Sequence, residues 1–103
     1  MSEKLLYPDW RDKVVYGENG PKHEVLSETD RLKVLVGGLR AGQRIPVHPE
    51  GESVYFFLEG SGQMTVGDER FAVGPGAIVL VPAGGKRGLE AETQLAFLAS
   101  RLA

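Results

Sequence analysis

One histidine among acidic residues, and one arginine in a second glycine-rich segment, are the side chains of this sequence best suited to chemistry. The first segment, Gly42 to Gly60, carries His48, Glu50, Glu52 and Tyr55. The second, Gly74 to Gly88, carries Arg87 with Lys86 beside it. An imidazole and one or two carboxylates offer lone pairs and negative charge, which a divalent cation needs. A guanidinium offers no lone pair and keeps its proton at any usable pH. Placed beside such a site it repels a dication. At an effective dielectric near 20, two unit charges about 4 Å apart interact by roughly 4 kcal/mol, so the sign of that charge matters. Three arrangements stay open. Arg87 pairs with Glu50 or Glu52 in a forked ion pair that plugs the pocket. Alternatively Arg87, with Lys86 nearby, receives the carboxylate or phosphate of a small ligand. In the third, His48, Glu50 and Glu52 hold an atypical metal with waters.

The remaining reactive residue types add little. His23 sits between Lys22 and Glu24 and reads as a surface residue. Tyr55 lies in a strand-like run where aromatics usually build core, so residue type alone assigns it no proton-transfer role. Met64 reads as a gap filler. With no cysteine there are no disulfides, thiolate metal sites or cysteine nucleophile. Gly60-Ser61-Gly62 and Gly74-Pro75-Gly76 precede strand-like segments rather than helices, so neither reads as a phosphate-binding loop.

The elements that must position these residues are short strands. Fourteen glycines and six prolines in 103 residues imply many tight turns. Lys13 to Tyr16 is a plausible strand, closed by the turn formers Gly17 to Pro21, and His23 to Leu26 is another. Arg31 to Leu39 places Leu32, Val34 and Val36 at period two, with a bulge or bend expected at Gly37-Gly38. Ser53 to Glu59 is greasy on both faces, so one set of Tyr55 and Phe57 or Val54, Phe56 and Leu58 lines the pocket. Gln63–Val66, Arg70–Val73 and Ala77–Val81 follow at hairpin spacing, which indicates an all-β sandwich or barrel. Thr93 to Ala99 closes the series as a strand, a short helix being the other option. Residues 1–10 read as an arm whose Trp10 packs on the barrel wall or on a partner subunit.

The length leaves room for one domain, residues 1–103, with barrel core over about 30–100. A hydrophobic fraction of 42% with 25% charged residues is ordinary for a globular protein. A net charge of −2 without a local run of Lys or Arg argues against nucleic-acid binding. No apolar stretch is long enough for a bilayer, and the first residues carry no apolar signal core, so a cytoplasmic protein without membrane contact is expected.

Both glycine-framed segments resemble the motifs of the cupin family, written G-x5-H-x-H-x3,4-E-x6-G and G-x5-P-x-G-x2-H-x3-N. Gly42, His48 and Gly60 fit the first; Gly76, Pro82 and Gly84 fit the second. The likeness runs over roughly residues 30–100 and implies a double-stranded β-helix, or jelly-roll barrel, with a pocket between two antiparallel sheets. Ordinary members of that family carry a metal centre on these motifs, but the ligand positions here are altered. Glu50 stands at the second histidine, Ser53 at the glutamate and Arg87 at the last histidine. The resemblance therefore implies a cupin with a degenerate metal site. No cofactor is expected, a divalent transition metal being the alternative. The ligand-binding candidates are His48, Glu50, Glu52, Tyr55 and Arg87, with His48, Glu50 and Glu52 the metal candidates. Three functions follow: a binder of small anionic or polar molecules, a metal-dependent dioxygenase, isomerase or decarboxylase, or a structural cupin closed by its ion pair. Small cupins commonly dimerise, so a homodimer is expected through the outward apolar residues of 53–59.

Overall fold

Turn residues alternate with short β-prone runs along most of the chain, and in the structure those runs become strands of two sheets. The structure is a computed structural model that describes residues 4–102. Among these, a 3-10 turn at Trp10–Asp12 precedes β1 (Lys22–Glu28), β2 (Leu32–Leu39) and β3 (Arg44–Pro49). There follow β4 (Ser53–Glu59), β5 (Gly62–Val66), β6 (Glu69–Val73), β7 (Ile78–Val81), β8 (Lys86–Ala91) and β9 (Leu95–Leu102). One sheet has the order β1-β2-β9-β4-β7 and the other β3-β8-β5-β6. Every ladder is antiparallel. From β2 onward the chain passes repeatedly between the sheets, which is the expected all-β jelly-roll barrel. The segment after Thr93 is strand, not helix.

Period-two alternation decides what enters the barrel. Leu35 and Leu39 of β2, Tyr55 and Phe57 of β4, and Phe97 and Ala99 of β9 meet Met64 of β5 and Leu89 of β8 in one core. Leu39, Phe57 and Met64 are fully buried, and each such side chain contributes about 1.5–3 kcal/mol. On β4 the inward set is Ser53, Tyr55 and Phe57, while Val54 and Phe56 stay exposed on the outer face. Their cross-strand partners on β7 are Leu80 and Ile78, also exposed. That strip lies at the free edge of the larger sheet.

Two expectations about local structure are corrected. Lys13 to Tyr16 forms no strand, because side chains rather than a ladder hold the segment. The Tyr16 hydroxyl donates to Glu59 Oε2 at 3.0 Å, and Arg40 Nε donates to the Tyr16 carbonyl at 3.3 Å. Nor does β2 bulge at Gly37-Gly38, since its register with β9 runs unbroken from Leu32 to Leu39. The glycines serve close approach instead: a Cβ on Gly37 would collide with the Phe97 ring, and one on Gly38 would come 2.5 Å from the Val15 carbonyl oxygen.

A bulge does occur on β3, an edge strand. Ile45 pairs with Leu89 and His48 with Arg87, so Pro46 and Val47 together stand opposite Gly88. Pro46 has no N–H for the ladder, and an edge strand tolerates that loss. The extra residue reverses the side-chain parity of the strand. Ile45 packs against the core and His48 faces Arg87, although residues three apart in a regular strand point to opposite sides.

Trp10 packs on the outer barrel wall, where it shares an apolar hollow with Tyr7, Val36, Leu58 and Leu98. Of the expected arm, residues 1–3 lie outside the described residues. Among the described residues, no helix is long and apolar enough to cross a membrane.

Candidate functional site

Glu50 follows the end of β3 and is anchored there by its backbone N–H, which donates to the Gly85 carbonyl at 3.0 Å. Its side chain turns back into the barrel and is 2% exposed. There the carboxylate collects donors from both sheets. Oε1 accepts from Arg87 Nη2 at 2.9 Å and from Arg101 Nη1 at 3.1 Å. Oε2 accepts from the Ser53 hydroxyl at 2.9 Å and the Tyr55 hydroxyl at 2.8 Å.

Arg87 is buried because strand parity places Arg87, Leu89 and Ala91 on one face of β8. All three of its nitrogens are engaged. Nη2 meets Glu50, Nε donates to the Tyr55 hydroxyl at 2.7 Å, and Nη1 lies 3.1 Å from His48 Nδ1. The pair is not the two-bond fork expected, because Nε turns to Tyr55 instead of the second carboxylate oxygen. Arginine has donors only, so His48 Nδ1 accepts and its proton sits on Nε2. Tyr55, which accepts from Arg87, has its single proton left to give to Glu50. Burial pushes the Tyr55 phenol up to about 12; Arg87 opposes that shift and Glu50 adds to it. Tyr55 is therefore a neutral donor at physiological pH and no base. Among the described residues, no buried side-chain nitrogen or oxygen lacks a partner.

The donor set does not fit a divalent metal. The His48 lone pair that faces the cluster is taken by Arg87, and both Glu50 oxygens are occupied by donors. The guanidinium stands among these groups as a fixed positive charge. Among the described residues, no group of three or more His, Cys, Asp or Glu side chains is placed to hold a metal ion.

Beside the cluster lies a cavity of about 330 Å3. Leu35, Ile45, Pro46, Phe97 and Ala99 form its apolar walls, and Glu50, Tyr55, Arg87 and Arg101 its charged and polar side. Lys22, His23 and Arg44 lie at its exposed rim. Of the five candidate residues, the structure brings Glu50, Tyr55 and Arg87 to this cavity. His48 touches Arg87 without lining the cavity. Glu52 is exposed and outside the cluster, because it immediately precedes Ser53, which takes the inward parity of β4. Lys86 is exposed on the opposite strand face from Arg87.

Arg101 was not among the candidates, and neither was the rim formed by Lys22, His23 and Arg44. A signal for Arg101 existed: Phe97, Ala99 and Arg101 share one parity on β9, and an arginine continuing a buried row points inward. It lies beyond both glycine-framed segments.

Comparison with protein families matches residues 33–100 to the family described as "Cupin domain". No curated protein matches the chain. Three solved structures resemble it closely in fold. A protein of unknown function from Streptococcus pyogenes is 24% identical over 99% of this chain and 89% of its own, with a TM-score of 0.83. A Thermus thermophilus protein is 22% identical over 95% and 98%, with a TM-score of 0.86. An RmlC-like cupin from Desulfovibrio desulfuricans is 26% identical over 99% and 96%, with a TM-score of 0.79. The chain belongs to the cupin family.

Proposed function

We propose that this chain is a metal-free cupin, acting as a single cytoplasmic domain. The Arg87–Glu50 pair stands where a metal centre would otherwise be, and the adjoining cavity binds a small anionic or polar molecule without metal-dependent catalysis. The observation that carries this reading is the position of Arg87, whose guanidinium fills the cluster and uses every nitrogen on Glu50, Tyr55 and His48. A cavity of this size falls at the lower end of the range for small-molecule sites. The full engagement of Arg87 also supports a second reading, in which the pair is purely structural and no ligand enters.

Elemental analysis of protein purified without chelator tests the metal-free reading. The expected result is no stoichiometric transition metal. A bound metal at one per chain, lost on His48→Ala, would overturn it.

The partner we propose is a second copy of this chain. Val54, Phe56, Ile78 and Leu80 form a contiguous exposed apolar strip beside the unpaired edge of β7. Such an edge is self-complementary under a two-fold axis, because antiparallel strands can pair across it.

A further inference from the structure

We infer that the cavity takes a monocarboxylate with an aryl or branched alkyl body, and that Arg101, not Arg87, grips its carboxylate. The inference rests on the cavity-binding reading above and assigns its ligand class.

Every nitrogen of Arg87 already has a partner inside the cluster, and its side chain is only 9% exposed, so it is fixed in place there. Glu50, for its part, does not depend on Arg101: with Arg101 withdrawn it still holds Arg87 as counter-charge and the Ser53 and Tyr55 hydroxyls. Arg101 is the cation that can change partner. A single Nη1 bond ties it to Glu50, its side chain is 30% exposed, and it lines the cavity. An entering carboxylate can take the guanidinium in the two-bond geometry that this pairing favours.

The charge around the cavity selects the sign of the ligand. The Arg87–Glu50 pair cancels, which leaves Arg101, Lys22 and Arg44 with no second carboxylate among the lining residues. An ammonium ligand would meet like charge there. Arg44 is partly held on the outer side by Glu90 at 3.4 Å, and Lys22 is exposed, so only Arg101 sits against the apolar interior. One such cation matches one carboxylate. The walls set the rest of the ligand, because Leu35, Ile45, Phe97 and Ala99 present nothing that hydrogen-bonds a polar body. At the ~30 Å3 that a water occupies in the liquid, the cavity has room for roughly a dozen non-hydrogen atoms.

The test is an NMR titration of isotopically labelled protein with three probes of matched shape: 3-phenylpropionate, 3-phenylpropionamide and 3-phenylpropylammonium. The carboxylate is expected to shift the amides of Leu35, Ile45, Phe97 and Ala99, and to bind at least roughly tenfold more tightly than the amide, as a charge-assisted hydrogen bond allows. Arg101→Gln is expected to weaken carboxylate binding by roughly 10- to 100-fold and to leave amide binding within about twofold, while Arg101→Lys recovers part of the loss. Equal affinity for carboxylate and amide in the unaltered protein would overturn the ligand class, whatever the stability of the variants. So would an Arg101→Gln protein that binds the carboxylate as before. In either case the amide would still shift the cavity residues, and the binding reading would survive. Silence from all three probes at millimolar concentration would overturn that reading as well.

Discussion

Replacing Glu50 by glutamine keeps the shape of the side chain and removes its charge, which leaves the Arg87 guanidinium buried without a counter-ion. The side chains of Arg87 and Glu50 are 9% and 2% exposed, so water screens neither group. Breaking a buried pair from one side costs about 3–5 kcal/mol, against a total of roughly 5–15 kcal/mol for a domain. The mirror substitution is expected to cost less. In Arg87→Met the Glu50 carboxylate retains Arg101 at 3.1 Å and the Ser53 and Tyr55 hydroxyls. Arg87 in the Glu50→Gln protein has no comparable substitute, since its other partners, Tyr55 and His48, are neutral. The double variant Glu50→Gln, Arg87→Met buries neither charge and keeps an acceptor for both hydroxyls. It is therefore expected to be more stable than Glu50→Gln alone, by up to about 3–5 kcal/mol, because replacing a whole buried pair is near neutral whereas breaking it from one side is not. Urea unfolding of the four proteins, extrapolated linearly, measures these differences. A Glu50→Gln protein within about 1 kcal/mol of the original would refute the argument. So would a double variant no more stable than Glu50→Gln.

The raised Tyr55 phenol makes a prediction at alkaline pH. Its pKa goes from 10.0 to about 12 in the folded protein, so the unfolded chain releases this proton first. The contribution is fully present below pH 10 and is lost as pH climbs toward 12, amounting to on the order of 2–3 kcal/mol. Urea midpoints measured across that window should fall less steeply for Tyr55→Phe than for the original, and parallel slopes would contradict the assignment. At the β7 edge, Leu80→Lys is expected to convert a dimer to a monomer in light scattering, because a charge would be buried in the apolar strip. A monomer mass for the unaltered protein at micromolar concentration would remove the basis for that interface.

The barrel was legible in the sequence because its signals are local. Turn residues at hairpin spacing and the alternation of Ser53 to Glu59 depend only on near neighbours. That Arg87 faces Glu50 or Glu52 was accessible through the resemblance of the two glycine-framed segments to the cupin motifs, whereas the part Tyr55 plays between them was not. What escaped depends on contacts far along the chain or on parity. Gly37-Gly38 resembles a bend until the Phe97 ring is known to lie against it. Pro46 hints at a disturbed edge, but which residues swing inward depends on how β3 meets β8. That bulge explains why His48 reaches Arg87, while Glu52 stays outside because the next residue, Ser53, takes the inward parity of β4. Arg101 announces itself only through the row it shares with Phe97 and Ala99. Lys13 to Tyr16 has strand-like composition but no neighbouring strand to pair with.

The carboxylate of Glu50 has a mechanical consequence. It leaves the end of β3, receives Arg87 from β8, and also receives Ser53 and Tyr55 from β4 and Arg101 from β9. Two of those strands belong to each sheet. A single acid thus acts as a clasp across the seam of the sandwich, and the two layers cannot part at this end without releasing ion pairs and hydroxyl bonds together. Breathing motions that widen the barrel should begin elsewhere.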